Sequence, residues 1–371
     1  MKITRVEVFP VTIPYPEAYV MASSSTAARD EVIIKVHTDQ GIVGLGEAVA
    51  RHERGQTQEV MTVVLTKYFA PALIGEDPLD IERIINKLGG MDCPWLSTLH
   101  AVDNALYDIM GKAFGVPVYQ LLGGAVRKSI SLTRSLPIKS PGEMAERAVA
   151  LKEQGYHTLT IKIGFDPSED IERLLAVKRA VGDWPPLEVD PNEGYTADVA
   201  IQTLKPVQDL ITCVEQPVSR YDFLGMAKVA NALDTPVAAD QMLTSARHVA
   251  LAAHLGAADV MCLKLPEVGG IALSRKFLEV ARAFNLPVTM GSGHPLGVGT
   301  AALHHFAAAM EWVRPPIGYG SPLERFANDI VTEPALVRNG EVTVSDKPGL
   351  GVELDEAMMK KYAVKITVDH D

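Results

Sequence analysis

Apolar and polar positions alternate with period two over "ITRVEVFPVTI" (residues 3–13) and "EVIIKVHTDQGIVGLGEA" (31–48), the pattern of strands with one face buried. Between them "MASSSTAARD" (21–30) has no period and is predicted to be a loop. Helical spacing follows over 56–72, over "DPLDIERIINKL" (77–88) with Pro-Leu near its start, and over "LHAVDNALYDIMGKAFG" (99–115). The last places apolar residues at i, i+3 and i+4 and stops at Gly115 and Pro117. The first third of the chain therefore reads as α+β.

From about residue 128 the pattern becomes short apolar runs alternating with amphipathic helices. The runs are "ISLTRSL", "TLTIKIG", "LEVD", "ITCVE", "PVAAD", "VMCLKL" and "PVTMG", separated by stretches such as "SEDIERLLAVKRAVG" and "IALSRKFLEVARAFN". Seven or eight βα units in a row favour a (β/α) barrel of the TIM type over an open sheet. The tail "ALVRNGEVTVSDKPGLGVELDEAMMKKYAV" returns to strand and turn signals and is expected to rejoin the first domain. The expected fold class is α/β, with an α+β capping domain at 1–125, the barrel at 126–320 and a returning C-terminal segment at 321–371.

Composition narrows the function. With 371 residues and 47% apolar content the chain can bury a large core, and 46 acids against 35 bases leave a formal charge of −11 with no long basic run. Nucleic acid is thereby excluded as a partner. Three scattered cysteines, Cys93, Cys213 and Cys262, form no CxxC and suggest a reducing compartment. No apolar leader region or membrane-length run is visible, so a soluble cytoplasmic protein is expected. Neither a GxGxxG after an early strand nor a GxxxxGK[ST] occurs, which removes the usual support for nucleotide binding.

Lys162, Asp190, Glu215, Asp240 and Lys264 stand at the ends of five successive apolar runs, 28, 25, 25 and 24 residues apart. One βα unit is about that long, and in a barrel all strands open their carboxyl ends onto one face, so these five side chains should converge. Three convergent carboxylates raise one another's pKa unless a cation sits among them. No Cys or His stands at these strand ends, so an all-oxygen set for Mg²⁺ or Mn²⁺ is expected rather than a zinc site. The plainer alternative is that each acid caps the helix that follows it.

The two lysines flank the three acids, and in a partly desolvated, cation-rich pocket their pKa values are expected to fall towards those of general bases. Facing lysines can take a proton from one side of a carbon and return one to the other. The alternative is a pair of surface lysines whose stems snorkel. The reaction that uses the whole set is removal of the proton next to a carboxylate, with the resulting enediolate neutralised by the divalent ion.

"IKIG" with Lys162, "VDPN" with Asp190 and Asn192, "VEQP" with Glu215, "AAD" with Asp240 and "LKLPEVGG" with Lys264 together resemble the enolase superfamily. Within it the likeness is to the mandelate racemase/muconate lactonizing enzyme family, in its two-lysine, muconate-lactonizing-enzyme-like subgroup. "TDQGIVGLGEA", "DNALYDIMGKAFGVPVYQLLGG" and "KPGLGVELDE" extend the likeness over nearly the whole chain. Lysine bases with Mg²⁺ holding an enediolate are an established pattern of that superfamily. The resemblance implies Asp190, Glu215 and Asp240 as metal ligands and Lys162 and Lys264 as the acid/base pair. It also implies a small carboxylate substrate and a homo-oligomer, dimer or octamer. In mandelate racemase itself a His–Asp pair replaces the second base, and Lys264 stands at that Asp position, which points away from mandelate racemase activity.

Two departures from the family pattern stand out. Thr160 occupies the first position of a frequent KxK, and Gln241 follows the third acid where Glu is common. Candidate substrate contacts are Asn192, His294 in "GSGHPLGVG", and Ser24 in the "SSS" run. His294 reads more readily as an ordinary loop residue, and Ser23 to Ser25 read equally well as part of a flexible lid. The segments around "YVMASSSTAARD" and "ARHERGQ" are the expected specificity loops. The expected reactions are racemisation, epimerisation or cycloisomerisation. A dehydratase on the same scaffold, or a catalytically silent barrel that only binds, are the alternatives.

Overall fold

In the computed structural model, residues 1–22 and 24–366 are described, apart from the side chain of Ser24. The period-two segments form an antiparallel sheet of β1 (Ile3–Met21), β2 (Ser24–Thr38) and β3 (Val43–Val49), in the order β1-β2-β3. The stretch expected to be a loop is instead the far end of the β1–β2 hairpin, where Tyr19, Val20 and Met21 pair with Thr26, Ser25 and Ser24. Small side chains gave no burial pattern to read, and strand pairing orders them through the backbone. The ladder is interrupted between Pro14 and Tyr19. Pro14 and Pro16 have no N–H to donate, so the strand can bend there, and the flanking Tyr15 and Tyr19 are both buried.

The helix Leu96–Phe114 packs against this sheet and ends at Gly115 with φ 68°, a left-handed stop that the Gly-Val-Pro signal anticipates. Close approach is possible because β3 carries glycines on the facing side. A Cβ on Gly46 would lie 1.9 Å from the Ala101 carbonyl oxygen, and one on Gly44 2.2 Å from that of Ala105. Gly46→Ala is therefore expected to force the helix off the sheet and cost ~1–3 kcal/mol, read as a lower urea midpoint at unchanged slope.

The barrel begins with β4 (Ser129–Ser131) and β5 (Thr133–Leu136), two short strands where one run was read. Then come β6 (Thr158–Lys162), β7 (Leu187–Asp190), β8 (Cys213–Glu215), β9 (Val237–Ala239), β10 (Val260–Leu263) and β11 (Val288–Met290). Strands β5 to β11 form one seven-stranded sheet in sequence order, each neighbour pair parallel. Residues 313–318 fill the eighth place: Arg314 N–H donates to Val288 O (2.7 Å), and Thr133 N–H to Ile317 O (2.9 Å). The ring of strands is thereby closed.

In the tail, β12 (Glu341–Thr343) pairs antiparallel with β4, Ala363 bridges to Val11, and Glu356–Tyr362 is a helix where only strand and turn signals were read. Asp355 caps that helix, accepting from Ala357 N–H and Met358 N–H. Cys93, Cys213 and Cys262 are all free. Among the described residues no helix is long and apolar enough to cross a membrane.

The cap is joined to the barrel through Glu47 of β3, which is fully buried and accepts from Leu296 N–H (2.5 Å) and Gly299 N–H (2.8 Å) at the start of the helix Gly297–Ala309. Burial lifts its carboxyl from 4.5 to about 7, against the pull of those two amides. The folded protein thus holds an extra proton between these values, and this group's contribution to stability falls as pH rises through that window. The unfolding free energy of the wild type minus that of Glu47→Gln is expected to decrease across it, measured by urea titration at each pH.

Candidate active site

Strand pairing places Lys162 and Asp190 side by side, and the ammonium hydrogen-bonds Asp190 Oδ2. Lys264, directly after β10, donates to Asp240 Oδ2 at 2.5 Å, and Asp240 follows β9 directly. Glu215, at the end of β8, lies between these two pairs. The five residues read from the register therefore meet at one end of the barrel.

Neither plain alternative survives. The helices after these strands are capped by Thr196, Asp222 and Ser245, none of them one of the three acids. The lysine side chains retain only 11% and 15% exposure, too little for surface residues.

Burial works to lower the pKa of both lysines, but the carboxylate facing each one, Asp190 or Asp240, outweighs it and holds the ammonium above its ordinary value. The expected fall of the lysine pKa values presupposes a cation among the acids, which would take up the carboxylate charge that each ammonium otherwise faces. Glu215 carries the strain of the cluster: burial, then Asp190 and Asp240, push its carboxyl well up.

Asp240 Oδ1 is buried without a hydrogen-bond partner, and a ligand atom each from Glu215, Asp240 and Cys262 lie within 4.8 Å of one another. An orphaned carboxylate oxygen beside a destabilised acid is what a hard divalent cation would satisfy, so Glu215 and Asp240 fit one, whereas Asp190 stands outside this group, its oxygens accepting from Asn192 and Lys162. Cys262 corrects the expectation that no sulfur lies near the acids. It sits two residues before Lys264 and so shares its side of the strand. Its thiol is held protonated by burial and by Asp240 and Glu215, which makes it a neighbour of the oxygen set and a poor ligand for a hard ion.

Asn192, expected to contact substrate, braces Asp190 instead: its N–H donates to Oδ1 (2.8 Å) and its Nδ2 to Oδ2 (2.9 Å), while its own Oδ1 stays unpartnered. His294 faces the hairpin, with Nδ1 3.0 Å from Tyr15 Oη and its ring edge-on to Tyr19 at 4.9 Å. The Ser24 side chain and Ser23 lie outside the described residues. Ser25 is exposed in the hairpin. His304 and His305 are buried in Gly297–Ala309 and meet backbone oxygens of Tyr319 and Leu350.

Several residues at the site were not visible in the sequence. Glu267 stands 3.8 Å from Lys264 and is clamped by Arg51 (3.3 Å) and Arg54 (2.9 Å) of the "ARHERGQ" segment. Arg54 also donates to the Gln241 carbonyl at 2.6 Å, so this specificity loop is pinned to the barrel on the Lys264 side. On the Lys162 side the hairpin covers the site: a Cβ on Gly164 would touch the Ala22 methyl at 2.9 Å. At the KxK departure, Thr160 Oγ1 donates to the half-buried Glu188 at 3.2 Å, the acid beside it across the ladder. Burial raises the Glu188 carboxyl.

A barrel with two acid-paired lysines and a cluster of carboxylates at its mouth, covered by a separate sheet-and-helix cap, belongs to a defined class of enzymes. Residues 3–123 match the N-terminal domain model of mandelate racemase and muconate lactonizing enzyme, and residues 143–358 the enolase C-terminal domain-like model. The chain belongs to the mandelate racemase/muconate lactonizing enzyme family of the enolase superfamily. It is 32% identical to the N-succinyl-L-Arg/Lys racemase of Bacillus cereus over 98% of both chains, and the crystal structure of that protein superposes with a TM-score of 0.94, covering 98% of this chain and 99% of that one. It is 30% identical to the L-Ala-D/L-Glu epimerase of Clostridium acetobutylicum, over 92% of this chain and 96% of the other. The dipeptide epimerase of Enterococcus faecalis, solved with Mg and the dipeptide L-Leu-L-Tyr, is 28% identical with a TM-score of 0.90, covering 95% and 99%. Other relatives carry the names muconate cycloisomerase and cis-3-hydroxy-L-proline dehydratase.

Proposed function

We propose that this protein removes and returns the proton α to the carboxylate of a small acid, giving racemisation, epimerisation or cycloisomerisation. Lys162 and Lys264 are the acid/base pair, and Asp190, Glu215 and Asp240 hold a divalent cation, Mg²⁺ with Mn²⁺ as an alternative. In this reading residues 1–125 and 321–371 make the cap, and 126–320 carry the chemistry. The carrying observation is the paired arrangement of the lysines, one on Asp190 and one on Asp240, from either side of Glu215.

Asp190, Glu215 and Asp240 would hold a divalent cation, which when bound would supply Lewis-acid neutralisation of charge on the substrate carboxylate and offset the acid charge that faces both lysines. One lysine, neutral, accepts the α-proton, and the other, charged, delivers a proton to the opposite face of the carbon. Asn192 holds Asp190 in place, and Glu267, itself fixed by Arg51 and Arg54, orients the Lys264 ammonium.

Incubation with candidate acids in D₂O and Mg²⁺, followed by NMR, tests the reading. Deuterium at Cα with the molecular formula otherwise retained supports it. Loss of water would favour the dehydratase that one relative's name suggests. Absence of exchange with every acid in a broad library of acid sugars, N-acyl amino acids, proline derivatives and muconates would overturn it.

A further inference from the structure

Arg325 follows the segment that closes the barrel and retains only 9% exposure, yet among the described residues no acid lies within salt-bridge reach of its guanidinium. Its Nε is buried with no partner, and so is the hydroxyl of nearby Tyr319. The guanidinium carbon lies 4.7 Å from the centre of the Tyr19 ring and 5.9 Å from that of Tyr319. His294 completes the cluster, stacked on Tyr319 at 5.7 Å and edge-on to Tyr19. A buried cation is normally paired, because leaving it alone forfeits its hydration without compensation. Here two rings supply cation–π contact, but no anion is present.

This cluster borders the proton-transfer site. Tyr19 sits in the hairpin whose tip packs on Gly164, two residues beyond Lys162. Ser135, which lies close to the Tyr19 phenol, pairs across the ladder with Thr160, two residues before Lys162. Arg325, Lys162 and Arg134 together hold the Tyr19 phenol below its ordinary pKa although burial raises it, so this side of the site is rich in positive charge.

We propose that Arg325, with Tyr19, Tyr319 and His294, is the subsite for a second carboxylate of the substrate, remote from the reacting carbon, so that the preferred substrate is a dianion. The proposal rests on the α-proton reading above, in which the first carboxylate occupies the metal end of the site. A planar guanidinium whose Nε edge is free matches a carboxylate in a two-point contact, which favours it over a neutral tail.

The test is calorimetric binding of α,ω-diacids from succinate to pimelate, each against the monoacid of equal length, to the full chain in Mg²⁺ buffer. The wild type is expected to prefer the best diacid by about tenfold to hundredfold, the worth of a charge-assisted hydrogen bond. In Arg325→Gln that preference is expected to vanish while monoacid affinity is kept. Arg325→Lys, which keeps the charge without the fork, is expected to lose most of it and carries the test if Arg325→Gln does not fold. No diacid preference in the wild type, an undiminished preference in the variants, or equal weakening of both acid types would overturn the proposal, the last showing Arg325 to be a structural strut. Binding requires no turnover, so absence of α-proton exchange would sink the reaction reading and leave this result standing.

Discussion

Replacing either lysine is expected to separate exchange from inversion. In Lys264→Ala, Lys162 still reaches one face of the α-carbon, so the stereoisomer that presents its proton to Lys162 continues to exchange in D₂O. Conversion to the other stereoisomer is lost by about 10²–10⁴-fold, the usual worth of a positioned acid or base. Lys162→Ala should show the mirror behaviour with the opposite stereoisomer. Lys162→Arg keeps a positive charge against Asp190 but cannot give up a proton, so it is expected to behave as the alanine variant does. NMR of each stereoisomer in D₂O, alongside polarimetry, checks all three. Exchange and inversion falling together to the same degree in every variant would show that the lysines do not act as separate bases on separate faces. Unchanged exchange in both alanine variants would remove them from the chemistry.

The second large effect concerns the acids, and here activity and stability move in opposite directions. Glu215 is half-buried beside Asp190 and Asp240, and without a cation both disfavour its ionised form. Glu215→Gln replaces this raised carboxyl with a group that cannot ionise, and is expected to raise the melting temperature of chelator-treated protein increasingly as pH rises. Added Mg²⁺ should stabilise the wild type and leave Glu215→Gln and Asp240→Asn nearly unmoved, since binding to the folded state alone raises stability by mass action. The same variants should lose about 10²–10³-fold in activity, the scale on which removing one electrostatic stabiliser is felt. Melting curves with EDTA and with Mg²⁺, together with the exchange assay, give both readings. A Glu215→Gln protein that Mg²⁺ stabilises as well as it does the wild type would take Glu215 out of the ligand set.

Much of this site was legible because a (β/α) barrel converts sequence period into spatial convergence. Charged residues at the ends of successive buried runs have one place to go when all strands are parallel and equally oriented. That logic located Lys162, Asp190, Glu215, Asp240 and Lys264, and it did so from residue types and spacing alone. It was blind to residues that reach the mouth from outside the repeat. Tyr19 arrives on a hairpin whose strand signal is broken by prolines and ends in small side chains. Arg51 and Arg54 come from a segment with no period, and Arg325 from beyond the last βα unit. Cys262 stands one register layer below Lys264, where a lone cysteine in an apolar run reads as core.

The chain by itself determined the alternation of strands and helices, the helix stop at Gly115 and the five charges at the ends of the barrel runs, because each rests on local periodicity or on a backbone preference. Tertiary structure alone decided which lysine faces which acid, since that follows from cross-strand register between residues 24 to 28 positions apart. It also set each lysine against one carboxylate, a contact that with no cation among the acids holds the ammonium above its ordinary pKa. Finally, it brought Tyr19 and Arg325, roughly 300 residues apart in sequence, to within a cation–π contact of each other. No local pattern encodes that meeting, since it depends on how the cap docks on the barrel.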